Sequence, residues 1–206
     1  MDERKFIEQR IKDLEDAVAF FGHQNKEERE RWVVDAFVRN LGLIPEKGEI
    51  ASVKDDPPDV EFRDARFEIK EILDPDRHRH YEYKQELERV RKITEAKDLL
   101  KEFTPKDIDL SEIYRLCHNE AVRLTKYSND FKKRTDLLLY VNLQEVMFFA
   151  EQPYPNTSEL AATGWRSVSF VLDQYSGCFC ASPDAPSFIQ QTVGTISHRP
   201  EVDDCA

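Results

Sequence analysis

Pro58-Asp59 and, nine residues further on, Glu68-Ile69-Lys70 put two carboxylates and an amine into one short stretch of chain. Carboxylate oxygens are hard ligands suited to Mg²⁺, and an amine beside them can orient or deprotonate water, so such a set could hydrolyse a phosphodiester. The intervening residues decide whether the three groups meet. Asp59 to Arg63 alternates polar and apolar residues, Asp64-Ala65 can turn, and Arg66 to Ile72 alternates again, which predicts a tight hairpin of half-buried strands. Phe67 and Ile69 then share one face, and Glu68 and Lys70 share the other. Pro57-Pro58 cannot join a central ladder, so Asp59 is expected where the chain bends into the sheet, its carboxylate aimed sideways at the cluster.

A helix is expected before the hairpin. Asn25 and Glu28 form a capping box, and Val33, Phe37 and Leu41 recur at helical spacing until Gly42 stops them. One turn back, the same stripe meets Glu30, a carboxylate at the core edge that needs a partner or a metal to offset its desolvation. Glu27 and Glu28 are alternatives to Glu30, and all three also complement the N-terminal end of the helix dipole.

In order, type and spacing, Asp59, Glu68 and Lys70 match the motif of the PD-(D/E)xK phosphodiesterase superfamily, which includes restriction endonucleases and Holliday-junction resolvases. The match covers about a dozen residues, and the flanking helices extend it. The whole sequence also resembles a bacterial family of about this length described as endonucleases. The resemblance implies a restriction endonuclease-like fold and Mg²⁺, with Mn²⁺ as a substitute. Asp59, Glu68, the Ile69 carbonyl and Glu30 would hold the metal, Lys70 would act on water, and cleavage would leave 5′-phosphate and 3′-hydroxyl ends.

The remaining sequence is consistent with that architecture. An amphipathic N-terminal helix is predicted through Phe6 or Ile7, Ile11, Leu14, Val18 and Phe21, and a long helix from Tyr81 to Lys101. Asp109 and Glu112 cap a further helix that turns Ile113, Leu116, Cys117 and Leu124 inward. Leu137 to Val141, Val146 to Ala150, Val168 to Leu172 and Cys178 to Cys180 read as strands of one sheet. Strands with helices on both sides predict a three-layer α/β/α sandwich around a mixed central sheet. With 206 residues, one domain is expected, the polar segment 183–206 forming a peripheral or mobile tail.

Net charge is −11, which disfavours a simple nucleic-acid binder. The charge is uneven, however: Arg77 to Arg134 holds 15 Lys and Arg against 11 Asp and Glu, a local +4 that leaves −15 for the rest. Arg77, Arg79, His80, Tyr83 and Lys84 interleave basic and aromatic groups suited to phosphate contact and base stacking. Lys132 and Lys133 give a second cluster, and Lys126, eight residues after His118, is expected on the same helix face. The expected partner is nucleic acid, DNA ahead of RNA, with a homodimer as one way to cut two strands.

No apolar run approaches the roughly 20 residues of a membrane span, and Met1-Asp2-Glu3-Arg4-Lys5 lacks a signal-peptide core. Cys117, Cys178, Cys180 and Cys205 contain no Cys-x-x-Cys pair, so reduced thiols in the cytoplasm are expected. Two other function classes are compatible with the residues: a catalytically inactive nuclease-like module that binds a protein or nucleic acid, and a metal-dependent hydrolase of small phosphorylated molecules.

Overall fold

Alternation does build the hairpin, within a computed structural model that describes residues 3–54 and 57–199. In chain order the elements are α1 Glu3–Phe20, α2 Lys26–Asn40, β1 Ile50–Ser52, β2 Val60–Phe62, β3 Ala65–Leu73, α3 Arg79–Val90, β4 Lys106–Asp109, α4 Leu110–Arg123, α5 Asn129–Lys132, β5 Asp136–Asn142, β6 Val146–Ala150, α6 Ser158–Ala161, β7 Ser167–Leu172, β8 Tyr175–Ala181, α7 Ser187–Gln190 and β9 Ile196–His198. They fall into two compact units, Met1–Arg29 with Pro75–Pro105, and Glu30–Asp74 with Lys106–Ala206.

The larger unit is a three-layer sandwich. Its seven-stranded sheet has the order β1-β2-β3-β5-β7-β8-β9, with β3, β5 and β7 parallel and the flanking strands antiparallel. β5 is buried on both faces, as its continuous apolar run requires: Leu138 joins one core, Leu137 and Leu139 the other. On the first face α2 packs Val34 and Phe37 over Phe67 and Ile69, with the Phe37 and Phe67 rings edge to face at 5.8 Å. α2 ends as expected, with Gly42 at φ 78° and Leu43 N–H donating to Val38 O at 3.0 Å. On the second face α4 packs Ile113, Cys117 and Ala121 against the sheet, and Asp109 caps it by accepting from Glu112 N–H at 2.8 Å.

The turn of the hairpin is Arg63-Asp64, one residue earlier than the sequence predicts. Val60 pairs with Phe67 and Phe62 with Ala65, so Ala65 belongs to the ladder and is fully buried, while Arg63 takes the left-handed conformation at φ 54°. Buried Asp136 fixes the turn against β5. It accepts from Arg66 N–H at 3.1 Å and pairs with Arg166, whose guanidinium also donates to Asp64 O at 3.1 Å.

Val146 to Ala150 is a strand but not part of the main sheet. Glu145, at φ 60°, turns the chain away after β5, and β6 pairs in parallel with β4 in a separate two-stranded sheet. Of the segment from Pro183, α7 buries Ile189 in the first core and β9 pairs with β8, while residues from 200 onward lie outside the described residues.

In the smaller unit α1 and α3 pack through Leu14, Leu87 and Val90. The helix predicted from Tyr81 to Lys101 is instead α3, a turn and a short 3₁₀ stretch at Ala96–Leu99. Ile93-Thr94 are β-branched and weaken helix there, and Arg89 donates to Asp98 O at 2.8 Å to hold the reversed chain. No helix among the described residues is long and apolar enough to cross a membrane.

Candidate active site

Glu68 and Lys70 project from the sheet face opposite to α2, as the period of β3 dictates. Asp59 precedes β2. Its N–H donates to Phe67 O at 2.9 Å, and its Oδ2 accepts from Ile69 N–H at 2.9 Å. The chain bends at Pro57-Pro58, so a side-chain carboxylate meets the Ile69 donor where the ladder has run out. Asp59 is 5% exposed and Glu68 1%.

Lys70 joins them. Its ammonium donates to Ile69 O at 2.8 Å and to Glu68 Oε1, and lies 4.0 Å from Asp59 Oδ2. A cation therefore already stands among the oxygens of Asp59, Glu68 and Ile69. Glu68 Oε1 also accepts from the Tyr127 hydroxyl. Glu68 Oε2 is buried and has no hydrogen-bond partner among the described residues. Leaving a buried carboxylate oxygen unsatisfied is costly, and a metal ion would satisfy it, so these residues fit the Mg²⁺ that the motif implies.

Glu30 is not brought to this cluster. It begins the part of α2 that packs over Phe67 and Ile69, and its side chain is half-buried and engaged within the protein. Among the described residues no three or more His, Cys, Asp or Glu side chains are gathered to hold a metal. Glu27 and Glu28 are exposed in the first turn of α2.

The basic residues divide between packing and surface. Arg79 is buried with its guanidinium 3.7 Å from the Phe21 ring centroid, Tyr83 stacks on the same ring at 5.1 Å, and Arg77 pairs with Glu82 at 3.0 Å. His80 is half-buried and Lys84 exposed. In the larger unit Lys132 is only 8% exposed, its ammonium 5.5 Å from the Trp165 ring, while Lys133 is exposed. Lys126 lies past the end of α4 at Arg123, so it does not share a helix face with His118. It is exposed with its ammonium 4.7 Å from the Tyr127 ring, beside the cluster.

Tyr127 is the residue sequence reasoning missed. A tyrosine between Lys126 and Ser128 carries no motif, and only the fold, by ending α4 before it, swings its hydroxyl to Glu68. Cysteine chemistry is disfavoured here: burial pushes the Cys178 thiol up to about 12 and Cys180 up to about 11, and Cys117 higher still. Cys205 lies outside the described residues.

No curated protein matches the chain. A solved structure from Pseudomonas aeruginosa strain PAO1, described as a protein of unknown function of the monooxygenase superfamily, is similar in fold, with a TM-score of 0.63 and 24% identity over 96% of each chain. At that identity the likeness concerns fold alone. Residues 2–203 match the family described as "Putative endonuclease, protein of unknown function (DUF1780)". A match over nearly the whole sequence makes this chain a member of the DUF1780 family.

Proposed function

We propose that the chain is a metal-dependent endonuclease that hydrolyses nucleic-acid phosphodiester bonds at the Asp59, Glu68 and Lys70 cluster. The family description supports the nuclease class, and the motif supports the PD-(D/E)xK chemistry. The observation that carries the reading is a buried, unpartnered oxygen, Glu68 Oε2, on a carboxylate whose other oxygen shares Lys70 with Asp59 and the Ile69 carbonyl.

Formal charge fits the chemistry. Two carboxylates and one ammonium leave the cluster at −1; a divalent cation would bring it to +1, and one phosphodiester would then neutralise it. Mg²⁺, or Mn²⁺ in its place, would polarise the phosphoryl oxygen and acidify a bound water. Asp59 and Glu68 would hold it with the Ile69 carbonyl, and Lys70, released from Glu68, would orient the attacking water as an ammonium or, after losing its own proton, deprotonate it as a neutral amine. The water oxygen bonds to phosphorus, the P–O3′ bond breaks, and the leaving oxygen takes a proton, giving 5′-phosphate and 3′-hydroxyl ends. Exposed Lys126 would contact a neighbouring phosphate.

A second reading, a nuclease-like module that binds without cutting, draws on the net charge of −11 and on Lys70 already neutralising Glu68. Asp59→Asn and Glu68→Gln separate the two, since Asn retains an oxygen for the Ile69 N–H. Calorimetry with Mn²⁺, run beside cleavage of single- and double-stranded DNA and RNA, should show wild-type binding and cutting. Both variants should lose at least about tenfold in affinity and ~10²-fold or more in rate. Cutting by both variants at the wild-type rate would refute the site, and metal binding without any cutting would favour the module.

A further inference from the structure

We infer that Tyr127 is a positioning residue for Glu68, holding its carboxylate so that Oε2 faces the metal; this rests on the phosphodiesterase reading above. Tyr127 sits in the short connection between α4 and α5. Both ends of that connection are fixed. Leu124 is buried in the core, and the Ser128 hydroxyl caps α5 by accepting from Phe131 N–H at 3.2 Å.

Packing then orients the ring. It stacks on Phe131 at 4.9 Å between centroids and meets Trp165 edge to face at 5.5 Å. A ring packed against two others has little freedom left, and its hydroxyl donates to Glu68 Oε1. A hydroxyl donating to a carboxylate is a charge-assisted bond, and it acts on the oxygen that also receives Lys70. One oxygen of Glu68 is thereby committed to protein donors, and the other is left without one. A carboxylate restrained through one oxygen presents the other at a fixed place, as the partners of metal-binding side chains do elsewhere. With Lys70 displaced from Oε1, Tyr127 would remain as the donor to that oxygen.

The alternative is that the hydroxyl merely satisfies a buried acceptor. Tyr127→Phe removes one oxygen and keeps the ring packing. In Mn²⁺ calorimetry it should weaken affinity by about 10- to 100-fold, whereas Arg123→Ala, an exposed residue in the last turn of α4, should stay within about twofold. Placing 3-fluorotyrosine at position 127 gives a readout in the intact fold: its ¹⁹F signal should shift on Mg²⁺ addition with the midpoint found by calorimetry. Wild-type binding with unchanged affinity in Tyr127→Phe, or a ¹⁹F signal that ignores Mg²⁺, would overturn the inference while leaving the phosphodiesterase reading standing. A wild-type chain that binds no divalent metal would overturn both.

Discussion

Lys70 stands among the residues proposed to hold a metal ion. Its ammonium touches Glu68 Oε1 and Ile69 O and lies 4.0 Å from Asp59 Oδ2, so it contacts all three residues proposed to hold Mg²⁺. An ammonium and a divalent ion cannot share that space cheaply; at 4 Å their repulsion is about 8 kcal/mol at an effective dielectric of 20. On the proposed reading Lys70 would therefore compete with the metal in the resting site even as it would serve the reaction. Lys70→Met should raise Mn²⁺ affinity by about tenfold or more, because it removes both the competitor and its charge, while lowering the cleavage rate by ~10²-fold or more. Calorimetry and single-turnover rates check the two halves separately. Weaker metal binding in Lys70→Met would mean that the ammonium supports the metal site rather than competing for it. The motif placed Asp59, Glu68 and Lys70 in sequence because strand alternation converts spacing directly into facing. It could not supply Tyr127, 59 residues from Glu68, whose relation to it depends on where α4 ends.

At the level of elements, what could be read in advance tracked how local each signal was. β3, β5 and β7 follow from short runs whose burial is determined by period, and the Asp109 cap from four residues. β1, β4 and β9 were not legible, since each has three or four residues and exists only because a neighbouring strand offers an edge. The break after α3 depends on partners that approach from later in the chain. Glu86 accepts from Arg89 and pairs with Lys101, and these contacts, the Arg89 bond first, hold its carboxyl down at about 2. A carboxylate depressed in the folded state stabilises fully above its unfolded pKa of about 4.3, and that stability is lost as pH falls toward about 2. The Glu86 side chain is 12% exposed, but Arg89 and Lys101 are 37% and 57% exposed, so solvent screens the pairs. Glu86→Gln should cost about 1 kcal/mol at pH 7 and almost nothing near pH 2. Thermal unfolding across that range tests it, and a loss that persists at pH 2 would place the stabilisation in packing instead of charge.

For the whole molecule, the balance between acidity and a polyanionic substrate turns on how many cations remain available. The stretch from Arg77 to Arg134 carries a local +4, yet folding commits Arg79 to Phe21, Arg77 to Glu82 and Lys132 to the space beside Trp165. Lys84, Lys126 and Lys133 stay exposed. Contact with about three phosphates gives a slope of log affinity against log salt near −2 to −3, since each phosphate of a single strand or duplex contributes about −0.7 to −0.9. Binding should therefore be weak and only moderately salt-sensitive, in keeping with a chain whose net charge of −11 repels long duplexes. Fluorescence anisotropy with labelled single-stranded and duplex DNA, between about 50 and 200 mM salt, measures the slope. The double variant Lys126→Ala, Lys133→Ala should flatten it by about 1.5 to 2 and weaken binding equally across sequences, because contacts to phosphate carry no sequence information. A slope already near zero in the wild type would instead favour a small phosphorylated substrate. A wild-type slope steeper than about −6 would require more phosphate contacts than these three lysines supply, from other exposed cations such as Lys92, Arg123 and Arg134 or from a second copy of the chain.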